Sequence, residues 1–329
     1  MKWRWLGIVL LMAAAQGAPA ALLAGQDPVA DAQREYAAGH YNRAVDILTA
    51  AAAKSPDDAP LHFLLGQSYY QLGEYNRATA SFEHSVQLAP KESRYHDWLA
   101  KAVGRKAEGA ILFSAIGLAR RTHHEFEVAV ELNPANLEAQ RDLIRFEIYA
   151  PGIASGGEDR ALKHIEALEK IDLLEGQLAR GEFLDAKKRV GEADQLFAKI
   201  LEAKTERIGV YFEVAEHYLD RNMPAKMEQA VDAAQRTAPD DLRLMFYQGI
   251  LLILKGKDTS QAESLLRAYL AKVPENSELP AHATAHEWLG KLFESQSKFS
   301  QAAEEYRASL ATDPHNRAVQ DALKRVERK

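Results

Sequence analysis

The sequence predicts an all-α, right-handed α-solenoid of about eight helix pairs with a C-terminal capping helix. Three observations predict it. Matching residues recur at a spacing of 34, from the Gly39–Ala44 stretch to the Gly73–Ala78 stretch, and self-similarity at such a period marks stacked supersecondary units. Alanine is abundant and β-branched runs are scarce, which favours helices over strands. Prolines stand where helices would have to stop, at Pro56, Pro90, Pro134, Pro239, Pro274 and Pro314, because proline lacks an N–H and its ring clashes with the preceding turn.

In chain order, the first residues carry Lys2 and Arg4, then an apolar run over residues 6–15, then Ala18-Pro19-Ala20. That layout predicts an export signal cleaved after Ala20, placing the protein in the periplasm or outside the cell. The alternative is an uncleaved anchor reaching Leu23 and Ala24 and holding the chain to the inner membrane. Losing residues 1–20 removes Lys2 and Arg4 but no acid, so the formal net charge moves from -6 to -8. Residues 21–27 read as a linker.

The helix pairs follow at about 28–58, 59–92, 93–134, 135–170, 171–205, 206–240, 241–274 and 281–314, with the cap at 315–329. In the second pair Gly66 and Ala78 allow close approach of two helices, which need small residues at an axis separation of about 8–10 Å. Tyr69, Tyr75 and Phe82 fill the space between them, and Gly73 closes the turn at positive φ. No pair buries enough surface to fold alone, so stacking supplies the core. The pattern Leu65-Gly66, Tyr69, Gly73-x-Tyr75, Ala78, Phe82, Ser85, Pro90 resembles the tetratricopeptide repeat. The eighth pair repeats it as Leu289-Gly290, Phe293, Phe299, Ala302, Tyr306 and Pro314.

The period breaks in three places. Pro90 to Pro134 is 44 residues, and the extra ten lie in or near the apolar stretch at 109–118. A longer helix packing its apolar side on pairs two and four is the expected outcome, and an exposed patch for a partner is the alternative. The fourth pair carries a loop at 150–157, expected to be a turn, with a nest of backbone N–H groups around Pro151, Gly152, Gly156 and Gly157 as the functional alternative. A third insertion surrounds residues 276–280.

Residues 104–161 sharpen the resemblance. The Phe126 to Pro134 helix end and the Ala150-Pro151-Gly152-Ile153 loop with Gly156-Gly157 look like a family of exported bacterial tetratricopeptide proteins. Members often carry Phe-Tyr before the loop and a third glycine after the pair. This chain separates Phe146 and Tyr149 by two residues and has Glu158 in place of the glycine. The resemblance implies a fold and an address and no particular activity.

Composition excludes several functions. With no cysteine, there is no disulfide, thiolate zinc site or cysteine nucleophile. The acidic balance argues against nucleic acid. His123-His124 are neighbours on a helix and point apart. His282 and His286 share a face but lack the Glu of a metalloprotease helix. No phosphate loop or Gly-x-Ser-x-Gly elbow occurs. The sequence predicts no cofactor, no metal and no catalysis, and a protein or peptide partner held in the concave groove. By repeat register the groove offers Phe63, Tyr70, Lys101, Arg105, Arg141, Arg145 and Tyr149, whose cations would suit an acidic segment. A periplasmic enzyme with an unrecognised site and a cell-wall or glycan binder are the alternatives.

Overall fold

The computed structural model describes residues 28–274, 279–314 and 316–329. The expected signal at 1–20, the linker at 21–27 and Asn276 of the third insertion lie outside the described residues. Among the described residues are seventeen α-helices and no strand. The fold class is an all-α solenoid of helix pairs. Two compact units divide the chain, one ending at Ile200 and one beginning at Leu201.

The first unit contains α1 (Pro28–Ala37), α2 (Tyr41–Ala52), α3 (Ala59–Gln71), α4 (Tyr75–Leu88), α5 (Ser93–Glu108), α6 (Leu112–Leu132), α7 (Leu137–Tyr149), α8 (Glu158–Ile171), α9 (Leu173–Ala186) and most of α10 (Val190–Glu202). Short connections hold consecutive helices side by side, as in an α-hairpin. Phe82 of α4 sits at the centre of the first core cluster, fully buried, with Phe63 at 5.6 Å and Trp98 at 5.9 Å between ring centroids.

The second unit contains α11 (Ile208–Asp220), α12 (Pro224–Thr237), α13 (Arg243–Lys255), α14 (Thr259–Lys272), α15 (His282–Ser295), α16 (Phe299–Thr312) and α17 (Arg317–Val326). Asn316 caps α17 by accepting from the Val319 N–H, a standard N-cap bond. Val319, Ala322 and Val326 are the buried side of that helix, which packs on α16.

One seam device recurs in both units. A β-carbon built on Gly66 would lie 2.6 Å from the Phe82 ring, and one on Gly290 would lie 2.4 Å from Tyr306. Each of these two glycines therefore receives an aromatic ring from the second helix of its pair, while Gly249 of α13 receives Leu266 in the same way. We expect Gly66→Ala to lower stability by about 1–3 kcal/mol, since Phe82 has no space into which to retreat. Urea denaturation followed by circular dichroism measures it.

The turns inside the pairs also share one geometry. Gly73 has φ of +73°, its N–H bonds to the Tyr70 carbonyl, and the Glu74 N–H bonds to the Tyr69 carbonyl. Lys188, Asn222 and Ser297 occupy equivalent turns at φ of +59°, +53° and +59°, with the same pair of backbone bonds. Those pairs lack the glycine punctuation because the backbone bonds hold an ordinary side chain in the left-handed region.

The 109–118 stretch departs from the expected packing. Leu118 joins the first core cluster, but Ile111, Leu112 and Phe113 are exposed by 71–87%. Their helix, α6, has 21 residues against 14 in α4 and in α8. The excess of seven residues corresponds to about 10 Å of helix.

Candidate functional site

The first helices α1, α3, α5, α7 and α9 each contact the next in that series within the first unit. Their unshared faces thus line up as one row. Spacings of three and four place Asp97, Lys101 and Arg105 on one face of α5, and Glu138, Arg141, Asp142 and Arg145 on one face of α7. Glu175 and Glu182 add two turns of α9.

The residues of this row do not form an open basic face, which corrects the expected cationic groove. The Lys101 ammonium lies 2.8 Å from Asp97, 2.5 Å from Glu138 and 2.9 Å from Asp142. Arg141 pairs with Glu175 at 3.0 Å, and Arg145 with Glu182 at 2.8 Å. Lys101, Arg141 and Arg145 are thus matched by carboxylates of the following first helix, joining three pairs by charge-assisted bonds. Glu138 is 33% exposed and Glu182 21%, against 10% for Lys101 and 13% for Arg145, whereas Asp97 and Asp142 lie deeper than Lys101.

Other predicted groove residues take different places. Phe63 is buried, because Tyr95 and Trp98 of the following first helix close over it at 4.7 and 6.1 Å. Tyr70 packs edge-on to Tyr75 and Trp98, and burial pushes its phenol far up. Arg105 donates to the Tyr75 hydroxyl and pairs with Glu108 at 2.7 Å. Tyr149 is 42% exposed at the end of α7.

Among the described residues, Asp97, Glu138 and Asp142 are the His, Cys, Asp or Glu side chains close enough to share a metal ion, with ligand atoms within 4.8 Å of one another. Lys101 already supplies a positive charge at their centre. Burial, followed by the neighbouring Asp142 and Glu138 charges, outweighs Lys101 and pushes the Asp97 carboxyl up to about 8. A carboxyl raised by folding stabilises the fold below its unfolded range and loses that contribution as pH rises through 8. The melting temperature of Asp97→Asn should therefore climb relative to the unmodified chain between pH 4.5 and about 8. Thermal scans across that window measure it.

The structure also contains a group that the sequence did not single out. The Glu147 side chain is fully buried and accepts from His123 Nε2 at 3.1 Å and His164 Nδ1 at 2.8 Å. Burial alone would raise its carboxyl, but the His123 and His164 hydrogen bonds hold it below the usual range. Three helices, α6, α7 and α8, are tied through this one carboxylate. The signal was an acid inside the Phe146–Tyr149 apolar quartet, at a position where a solvated glutamate would not be expected.

The 150–157 loop is a turn and not an outward nest. A short 3-10 turn covers Gly152–Ala154. The Ala154 and Gly156 N–H groups donate to Pro151, Ser155 to Gly152, and Gly157 to the Glu147 carbonyl. A β-carbon on Gly156 would lie 1.8 Å from the Ala150 carbonyl oxygen, so that glycine serves close packing of the chain on itself. In the second unit, His282 bonds to the Val273 carbonyl and His286 to Glu305 at 2.7 Å, so the two imidazoles have separate partners.

Residues 35–102 and 254–317 match family models described as tetratricopeptide repeat. Over 60 residues the chain is 37% identical to anaphase-promoting complex subunit 3 of Dictyostelium discoideum, a match spanning 18% of this chain and 6% of that protein. A tetratricopeptide repeat protein from Parabacteroides merdae is 16% identical, with 92% of this chain and 98% of that chain covered at a TM-score of 0.47. Human IFIT1, in its dimer with PPP-AAAA, is 17% identical, with 91% of this chain and 72% of that one covered at a TM-score of 0.54. The likeness to human IFIT1 is one of fold.

Proposed function

We infer, for a chain that carries tetratricopeptide repeats in each of its two units, that it is a non-catalytic protein-interaction scaffold of a bacterial cell envelope. The observation that carries the reading is the row of first helices in the first unit, which presents side chains of three successive pairs on one face. Such a row suits an extended segment of another protein, because each helix adds a contact at a regular step.

The chemistry of the row selects the segment. Lys101, Arg141 and Arg145 lie deeper than the acids that reach them from the next first helix, Glu138, Glu175 and Glu182, while the more exposed Arg105 is paired with Glu108. A segment bearing Lys or Arg complements that face, and an acidic tail does not. The half-exposed Tyr149 offers an aromatic anchor at one end. The envelope address rests on the basic, apolar and small-residue layout of the first twenty residues.

A photo-crosslinking amino acid at Tyr149 or Glu138 tests the scaffold reading, with Glu166 on α8 as the second-helix control. Discrete protein adducts from the two inner positions and none from α8 are expected in envelope extract. Adducts only from α8, or only glycan adducts, would contradict it. N-terminal sequencing of the processed chain should begin at Ala21.

A further inference from the structure

We propose that the projecting tip of the third helix pair is a peripheral membrane contact that inserts into an anionic lipid surface. Ile111, Leu112 and Phe113 are three consecutive bulky apolar residues, 78%, 71% and 87% exposed. They stand at the start of the longest of the described helices, whose first turns extend about 10 Å beyond the length of α4 and α8. A buried role for these side chains is therefore ruled out by their position.

Charge selects the occupant. The chain as a whole is net negative at -6, yet residues 105–121 hold Arg105, Lys106, Arg120 and Arg121 against the single acid Glu108; Arg105 is paired with Glu108 and Arg121 with Glu83, so Lys106 and Arg120 are the cations that argue for an anionic surface. Arg120 lies seven residues, or about 10 Å, behind Phe113 along α6. Lys106 lies in the last turn of α5, the helix packed beside α6. Apolar side chains at a tip with cations roughly 5–10 Å behind them fit the boundary between acyl chains and anionic headgroups. Ile111 at the N-cap makes no side-chain cap bond, which leaves the first N–H groups of α6 for solvent or headgroup acceptors. A soluble protein partner would need none of this layering. The inference stands apart from the inner row and does not require it to bind anything.

The chain has no cysteine, so Ser114→Cys gives one labelling site beside the tip. An environment-sensitive dye there reports insertion of the tip itself, whatever the N-terminal apolar run does. With phosphatidylglycerol-containing vesicles we expect a blue shift and a rise in emission. The response should fall at least tenfold in vesicle affinity when Leu112→Asp and Phe113→Asp are added. It should be much weaker with phosphatidylcholine vesicles and should fade in high salt. Both aspartates replace exposed side chains, so unchanged circular dichroism separates lost insertion from lost folding. No response to anionic vesicles would overturn the proposal. An equal response to phosphatidylcholine, or a shift that depends on protein concentration without vesicles, would overturn it too, the latter marking the tip as a self-association surface.

Discussion

Lys101→Met should destabilise the first unit by about 3–5 kcal/mol, the cost of leaving buried charge without its partner. Lys101 is the ammonium shared by Asp97, Glu138 and Asp142, at 2.8, 2.5 and 2.9 Å. Methionine keeps most of the stem volume, so a packing loss does not account for an effect of that size. What remains is three carboxyl groups within one small space, with Asp97 raised to about 8, so that all three carry unpaired charge only above that pH. Their mutual repulsion is relieved by taking up protons, so the variant should recover stability as pH falls. Adding Asp97→Asn should restore part of the loss, giving a coupling energy of about 0.5–3 kcal/mol in a double-mutant cycle. Urea unfolding of the four chains measures the cycle. Simple additivity would mean that Lys101 acts through its stem and not its charge.

Phe82→Ala should cost about 3–5 kcal/mol, the usual range for removing a fully buried aromatic side chain. The ring fills the seam over Gly66 and touches Phe63 and Trp98. It thus bridges the second pair to the first helix of the third. Removing it opens a cavity at a junction between pairs, where a repeat stack draws much of its stability. The companion change Gly66→Leu on the Phe82→Ala background should refill part of the space and return part of the loss. Thermal melts of the single and double variants test this.

The seam and the fold class were legible because small and aromatic residues recur at fixed steps, and a glycine facing a ring has one mechanical purpose. The pairs with Lys188 or Asn222 at the turn were harder to read, because backbone hydrogen bonds replace the glycine signal, whereas the eighth pair, with Ser297 there, was legible from Leu289-Gly290, Phe293 and Tyr306. The candidate site was legible only in part. Register placed Lys101, Arg141 and Arg145 on one face, but the carboxylates that match them come from the next first helix, 34 to 37 residues away. Counting charges within one helix cannot see such pairs. Phe63 was misplaced for the same reason, since Tyr95 and Trp98 of the next pair cover it. The Glu147 bridge required three helices to be placed together before its two histidines could be seen.

The most direct test is a comparison of two fluorescent peptides by anisotropy, one rich in Lys and one rich in Glu. The Lys-rich peptide should bind in a salt-sensitive manner and weaken when Glu138 and Glu182 are changed to Gln. Equal or stronger binding of the Glu-rich peptide, unaffected by those two changes, would contradict the account.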